Sequence, residues 1–79
     1  MYQEITIRHA THDDSRAVLR LAALDDRPAP RGDALLAFVD GELVAARPLD
    51  GRSPVADPFR HTAHLLDLLE VQSRSELAA

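Results

Sequence analysis

The stretch ALLAFV-DG-ELVAARPL, residues 34–49, limits what this chain can fold into more than any other. Two apolar, strand-like runs flank Asp40-Gly41, a dipeptide that favours the tight turn of a two-residue β-hairpin. The turn needs positive φ, which glycine adopts without steric cost, so Gly41 is expected there. Strands are expected at residues 34–39 and 42–48. Pro48 has no N–H for a ladder and should stand where pairing stops.

The remaining elements arrange themselves around this hairpin. QEITIRHA alternates, with Ile5 and Ile7 on one face and Thr6 and Arg8 on the other. The pattern predicts a half-buried strand over about residues 3–8. THDD follows. Thr11 suits an N-cap, and Asp14 stands at the third helical position of a near capping box. A helix is expected from His12 to Leu24. Ala17, Val18, Leu19, Leu21, Ala22 and Leu24 give it a wide apolar arc, which implies cover on more than one side. Asp13, Arg16 and Arg20 form a narrow polar stripe, read as solvated.

DDRPAPRGD is a loop, and LDGRS a second turn. Val55-Ala56 is a short last strand between Pro54 and Pro58, a blunted edge at which the sheet should end. The final helix is expected to start at Phe59 or Thr62. Leu65, Leu66, Leu68 and Leu69 share an arc of about 160°. His64, Asp67, Glu70 and Arg74 lie opposite. The apolar pattern fades near Gln72, so residues 73–79 are expected to fray. The fold class is α+β, a small antiparallel sheet in the order β-α-β-β-β-α packed with two helices. The 79 residues form one domain.

Composition then removes several classes of function. Thirteen acidic and nine basic residues give a net charge of −4, which disfavours nucleic acid and anionic membrane as partners. With no cysteine, disulfides, thiolate zinc sites and a cysteine nucleophile are excluded. MYQEITIRHA lacks the form of a signal peptide, and no apolar run approaches the roughly 20 residues needed to span a bilayer. The expected location is the cytoplasm. Tyr2, Phe38 and Phe59 are the three aromatics, so the core must be aliphatic.

Candidate sites are few. His61, His64 and Asp67, at i, i+3 and i+6, could share a helix face as metal ligands, but no motif supplies further ligands, and a polar flank is the plainer reading. His9 and His12 near Asp13 and Asp14 could form a second cluster, although the cap accounts for the aspartates. Ser15 or Ser53 as a nucleophile would need a histidine base and an orienting acid. Arg47, in the third strand, is expected to pair with Asp50 or Asp57 or to bind an anion. No catalytic and no metal-binding residue is assigned.

The opening ITIRHATHDDSRAVLRLAA resembles the start of the GNAT acetyltransferase family, in which I-x-I-R-x-A leads through T-x-x-D into the first helix. Ile5, Ile7, Arg8, Ala10, Thr11 and Asp14 match. The hairpin LLAFVDGELVAA is similar to that family's second and third strands. Together these cover residues 3–47, all of it scaffold. The resemblance implies an acetyl-CoA site at a Q/R-x-x-G-x-G/A loop that opens the next helix. Backbone N–H groups there bind the pyrophosphate, and glycine lets the backbone approach. The corresponding VADPFRHTAHLL has no glycine. Asp57 would place a carboxylate at the helix start, in competition for the same N–H groups, and Arg60 is a weak candidate for attracting a phosphate. The expectation is therefore a non-catalytic, degenerate GNAT-like domain without a cofactor, acting through a partner protein or as a homo-oligomer. The alternative is an acetyl-CoA-dependent N-acetyltransferase, or part of one, completed by a partner chain.

Overall fold

The structure, a computed structural model, describes residues 3–78, with side chains described through residue 76. Strand β1 (Ile5–His9) leads through a 3-10 turn (His12–Asp14) into α1 (Ser15–Leu24). Then come β2 (Ala34–Val39), β3 (Glu42–Pro48), β4 (Val55–Ala56) and α2 (Ala63–Ala78). The four strands form one antiparallel sheet in the order β1-β2-β3-β4. The expected fold class and element order hold. Among the described residues no helix is long and apolar enough to cross a membrane.

The hairpin turn carries positive φ at both central residues, 51° at Asp40 and 83° at Gly41, as a type I′ turn requires. Asp40 also ties the hairpin to β1. Its carboxylate accepts the Glu4 N–H at 2.9 Å, and its own N–H donates to the Glu4 carbonyl at 2.8 Å.

The sheet is covered on both faces. On one, Val18, Leu21 and Ala22 of α1 pack on Ala34, Leu36, Ala46 and Val55. On the other, Leu69 of α2 packs on Leu35, Ala37 and Ala45, while Leu65 meets Val39 and Val44. This two-sided cover explains why β2 reads ALLAFV without polar alternation. A bulge in β3 lets Val44 and Ala45 serve the same face: Ala37 pairs with Ala45 and Phe38 with Leu43, so Val44 is passed over.

Several expectations need correction. β1 is an outer strand and Ile5 is exposed, so the alternation marks an edge rather than a half-buried strand. The first helix opens as a 3-10 turn and is covered on one side only. Ala17, Leu19 and Leu24 face solvent, because the sheet meets a single stripe of α1. It ends in a Schellman arrangement with Asp26 at φ 52°: Arg27 N–H donates to the Ala22 carbonyl and Asp26 N–H to that of Ala23. The last helix starts at Ala63, after the turn at Asp57–Arg60, and runs to Ala78. Ser73 is buried there and bonded to Arg47, which holds the helix down beyond its leucines. Ala79 lies outside the described residues. Leu66, at the border of the leucine arc, is only half-buried, unlike Leu65 and Leu69.

Candidate functional site

Two strand-to-helix junctions concentrate the polar chemistry. At the first, Arg8 Nη1 and Nη2 each donate to the Asp14 carboxylate at 2.8 Å. The same carboxylate accepts the Thr11 N–H at 2.7 Å and the Thr11 hydroxyl at 3.1 Å. The guanidinium lies 4.6 Å from the Phe38 ring centroid, a cation–π contact. These donors, Arg8 first and the Thr11 N–H second, hold the buried Asp14 carboxyl well below the usual carboxylate range. The group is a structural clamp: all four hydrogen bonds that the carboxylate accepts come from Arg8 and Thr11. The Thr11 to Asp14 cap is legible in the sequence. The arginine that completes it lies six residues away on the exposed face of an edge strand, and nothing in the local spacing joins the two.

The second junction runs from β4 into α2, where the family resemblance would put a cofactor. Asp57 N–H donates to the Val44 carbonyl at 2.9 Å, which extends the β3–β4 pairing past the bulge. The Asp57 carboxylate accepts the Phe59 N–H at 2.9 Å, and Arg60 N–H closes the turn on the Asp57 carbonyl at 3.3 Å. Asp57 is therefore a turn residue and does not cap α2, contrary to expectation. The helix begins later, with the Leu66 N–H on the Thr62 carbonyl at 2.9 Å. A cavity of about 320 Å³ lies at this helix start, lined among others by Val44, Arg60, His61, Thr62 and His64. Arg60 is on its rim, where its Nη1 meets Glu42 Oε2 at 3.2 Å.

A larger cavity of about 740 Å³ opens between the start of α1 and the loop before β2. Its walls are Val18, Leu19, Pro28 and Ala29, with His12, Ser15, Arg31 and Asp33 as polar groups. Ser15 Oγ donates to the His12 backbone carbonyl at 2.9 Å. Its proton thus faces a carbonyl and not an imidazole, which is not the arrangement of an activated nucleophile. Ser53, the other candidate nucleophile, is exposed.

The other proposed clusters do not assemble. His61 precedes the first turn of α2, so it shares no helix face with His64 and Asp67. Among the described residues no three His, Cys, Asp or Glu side chains gather as for a metal. His9 lies 3.0 Å from Glu76 of α2, away from His12. Arg47 pairs with neither Asp50 nor Asp57. Its Nη1 meets Glu70 Oε2 at 3.2 Å and its Nε donates to Ser73 Oγ at 3.2 Å. Arg47 shares the Leu35 face of the sheet, so it points at α2. Asp50 instead accepts the Arg52 N–H within its own turn. Compared with family models, with curated proteins and with solved structures, the chain matches none of them.

Proposed function

We propose that this domain is a non-catalytic, GNAT-like scaffold that acts through protein contacts, self-association included. The observation that carries the reading is the apolar surface left on the outer flanks: Leu19 on α1 is 62% exposed, Val71 on α2 63%, and Phe59 beside the start of α2 81%. A partner chain would cover such surface. The glycine-free VADPFRHTAHLL supports the same reading, since a pyrophosphate needs close backbone approach. With a net charge of −4, protein is a better partner than nucleic acid, and the reading assigns the domain to the cytoplasm.

A second reading is an acetyl-CoA-dependent N-acetyltransferase, or part of one, completed by another chain. What favours it is the cavity at the start of α2, with Arg60 on its rim. Calorimetric titration with acetyl-CoA separates the two. A flat titration is expected. A 1:1 isotherm with Kd below about 100 µM, about −5.5 kcal/mol, would sink the first reading and promote the second.

A further inference from the structure

The two edges of the sheet are built differently. β4 is two residues long, lies between Pro54 and Pro58, and has its Ala56 N–H taken by the Asp25 carboxylate at 3.1 Å. Those are protections against strand addition. β1 is five residues long, contains neither proline nor lysine, and keeps an unbroken register with β2 from Ile5↔Val39 to His9↔Leu35. Among the described residues no strand pairs with its outer side, where the His9 carbonyl alone is taken, by Arg8 Nη1 at 3.0 Å. The Glu4 carbonyl accepts from Asp40 N–H and the Ala10 N–H donates to Ala34, so the even-numbered residues of this stretch bond inward to β2. Antiparallel alternation then turns the N–H and C=O groups of Ile5, Ile7 and His9 outward.

We propose that β1 pairs antiparallel with β1 of a second copy of this chain, in a register centred on Thr6, joining two four-stranded sheets into one. This inference rests on the interaction-module reading and names its partner and its surface. The sequence of the strand is complementary to itself about that centre. Thr6 falls opposite Thr6, Ile5 opposite Ile7, and Glu4 opposite Arg8. Threonine pairs, β-branched apolar pairs and opposite charges are the cross-strand pairs that stabilise sheets. The parity also fits, because Ile5 and Ile7 are both outward-bonding residues and become a hydrogen-bonded pair. Arg8 has N–H donors beyond those spent on Asp14 and the His9 carbonyl, so it can take a second carboxylate.

A stable interface buries roughly 1,200–2,000 Å², more than a short seam supplies. Leu68 of α2 and Ile5 of β1, both exposed, add apolar surface beside it. Glu70 and Ser73 hold one side of α2 to Arg47 on β3. Leu68 lies on the flank of the helix away from Glu70 and is exposed, while Val71, opposite the buried Ser73, faces away from the sheet. Glu76 of α2 reaches His9 of β1, so the helix and the edge strand are adjacent there. Ile5, itself exposed, and Ile7 face the same layer.

The experiment replaces Thr6, whose side chain is exposed. Light scattering after size exclusion should give wild type the mass of two chains. Thr6→Glu and Thr6→Lys each put like charges together on the two-fold axis. Each should weaken the dimer at least about tenfold, with circular dichroism unchanged. An equimolar mixture of the two variants should recover the dimer. Since the chain has no cysteine, Thr6→Cys under oxidant should give a covalent dimer, and Arg20→Cys on α1 should not. Thr6→Cys keeps the test alive if a charged variant fails to fold. A wild-type chain that stays single at its highest soluble concentration overturns the pairing. A wild-type dimer untouched by both charges, with Thr6→Cys uncrosslinked, overturns this edge and leaves the interaction-module reading standing. Tight acetyl-CoA binding would sink that reading without affecting the dimer.

Discussion

The two helices cover opposite faces of one sheet by different means. Under α1 the contact is aliphatic: Val18, Leu21 and Ala22 on alanines, Leu36 and Val55. Charged contacts stand at its ends: Arg8–Asp14 where the chain enters the helix, and the Asp25 carboxylate on the Ala56 N–H of β4 where it leaves. Under α2 a polar seam runs beside the leucines, because Arg47 of β3 points into that interface and meets Glu70 and Ser73. The α1 face is thus fixed at its two ends, and the α2 face along its length. Hydrophobic burial gives each face its energy, and the polar contacts fix where each helix lies along the sheet.

The sharpest test of that comparison is truncation of the best-buried leucine on each side. Leu21→Ala and Leu69→Ala should each cost about 2–5 kcal/mol, read from urea midpoints. Leu66→Ala, at a half-buried position, should cost clearly less. Equal losses at Leu66 and Leu69 would mean that α2 is rotated on its face.

Next in size is the entrance clamp. Asp14→Asn should cost about 1–2 kcal/mol, the value of charge-assisted hydrogen bonds reduced by the solvent exposure of Arg8. The sign of its pH dependence is fixed. The folded carboxyl is depressed, so its contribution is complete above the unfolded value near 4. It is lost as pH falls from there toward the folded value. Wild type should therefore lose more stability between about pH 4 and pH 2 than Asp14→Asn does. Parallel pH profiles for the two would show that the clamp contributes nothing.

The smallest effect belongs to the seam. Glu70→Gln keeps an acceptor for the Arg47 guanidinium and should cost less than about 1 kcal/mol, shrinking further in high salt. A loss as large as that of Leu69→Ala would reverse the assignment of energy to leucine and position to charge.

Much of this was legible along the chain, for local reasons. Asp40-Gly41 bounds the hairpin because only certain residues accept positive φ at both turn positions. Thr11 and Asp14 cap because their groups are three residues apart. The missing glycines between Val55 and Leu66 are plain from residue identity. What could not be read has a common cause. A helical period says which side chains share a face, not how much of that face a neighbour covers. Leu19 and Leu21 therefore look alike in sequence, and one is exposed and the other buried. Arg47 had two acidic neighbours in sequence, but a strand turns alternate residues to opposite faces. Its partner had to come from whichever helix lay over Leu35, and that is Glu70. Sequence by itself determined the elements, their order, the hairpin and the first cap, all set by torsion preferences and short-range hydrogen bonds. Only the tertiary structure decided which leucines are core, where α2 begins and ends, and which acid each arginine holds. Those outcomes depend on contacts between residues far apart in the chain, and no local pattern encodes that distance.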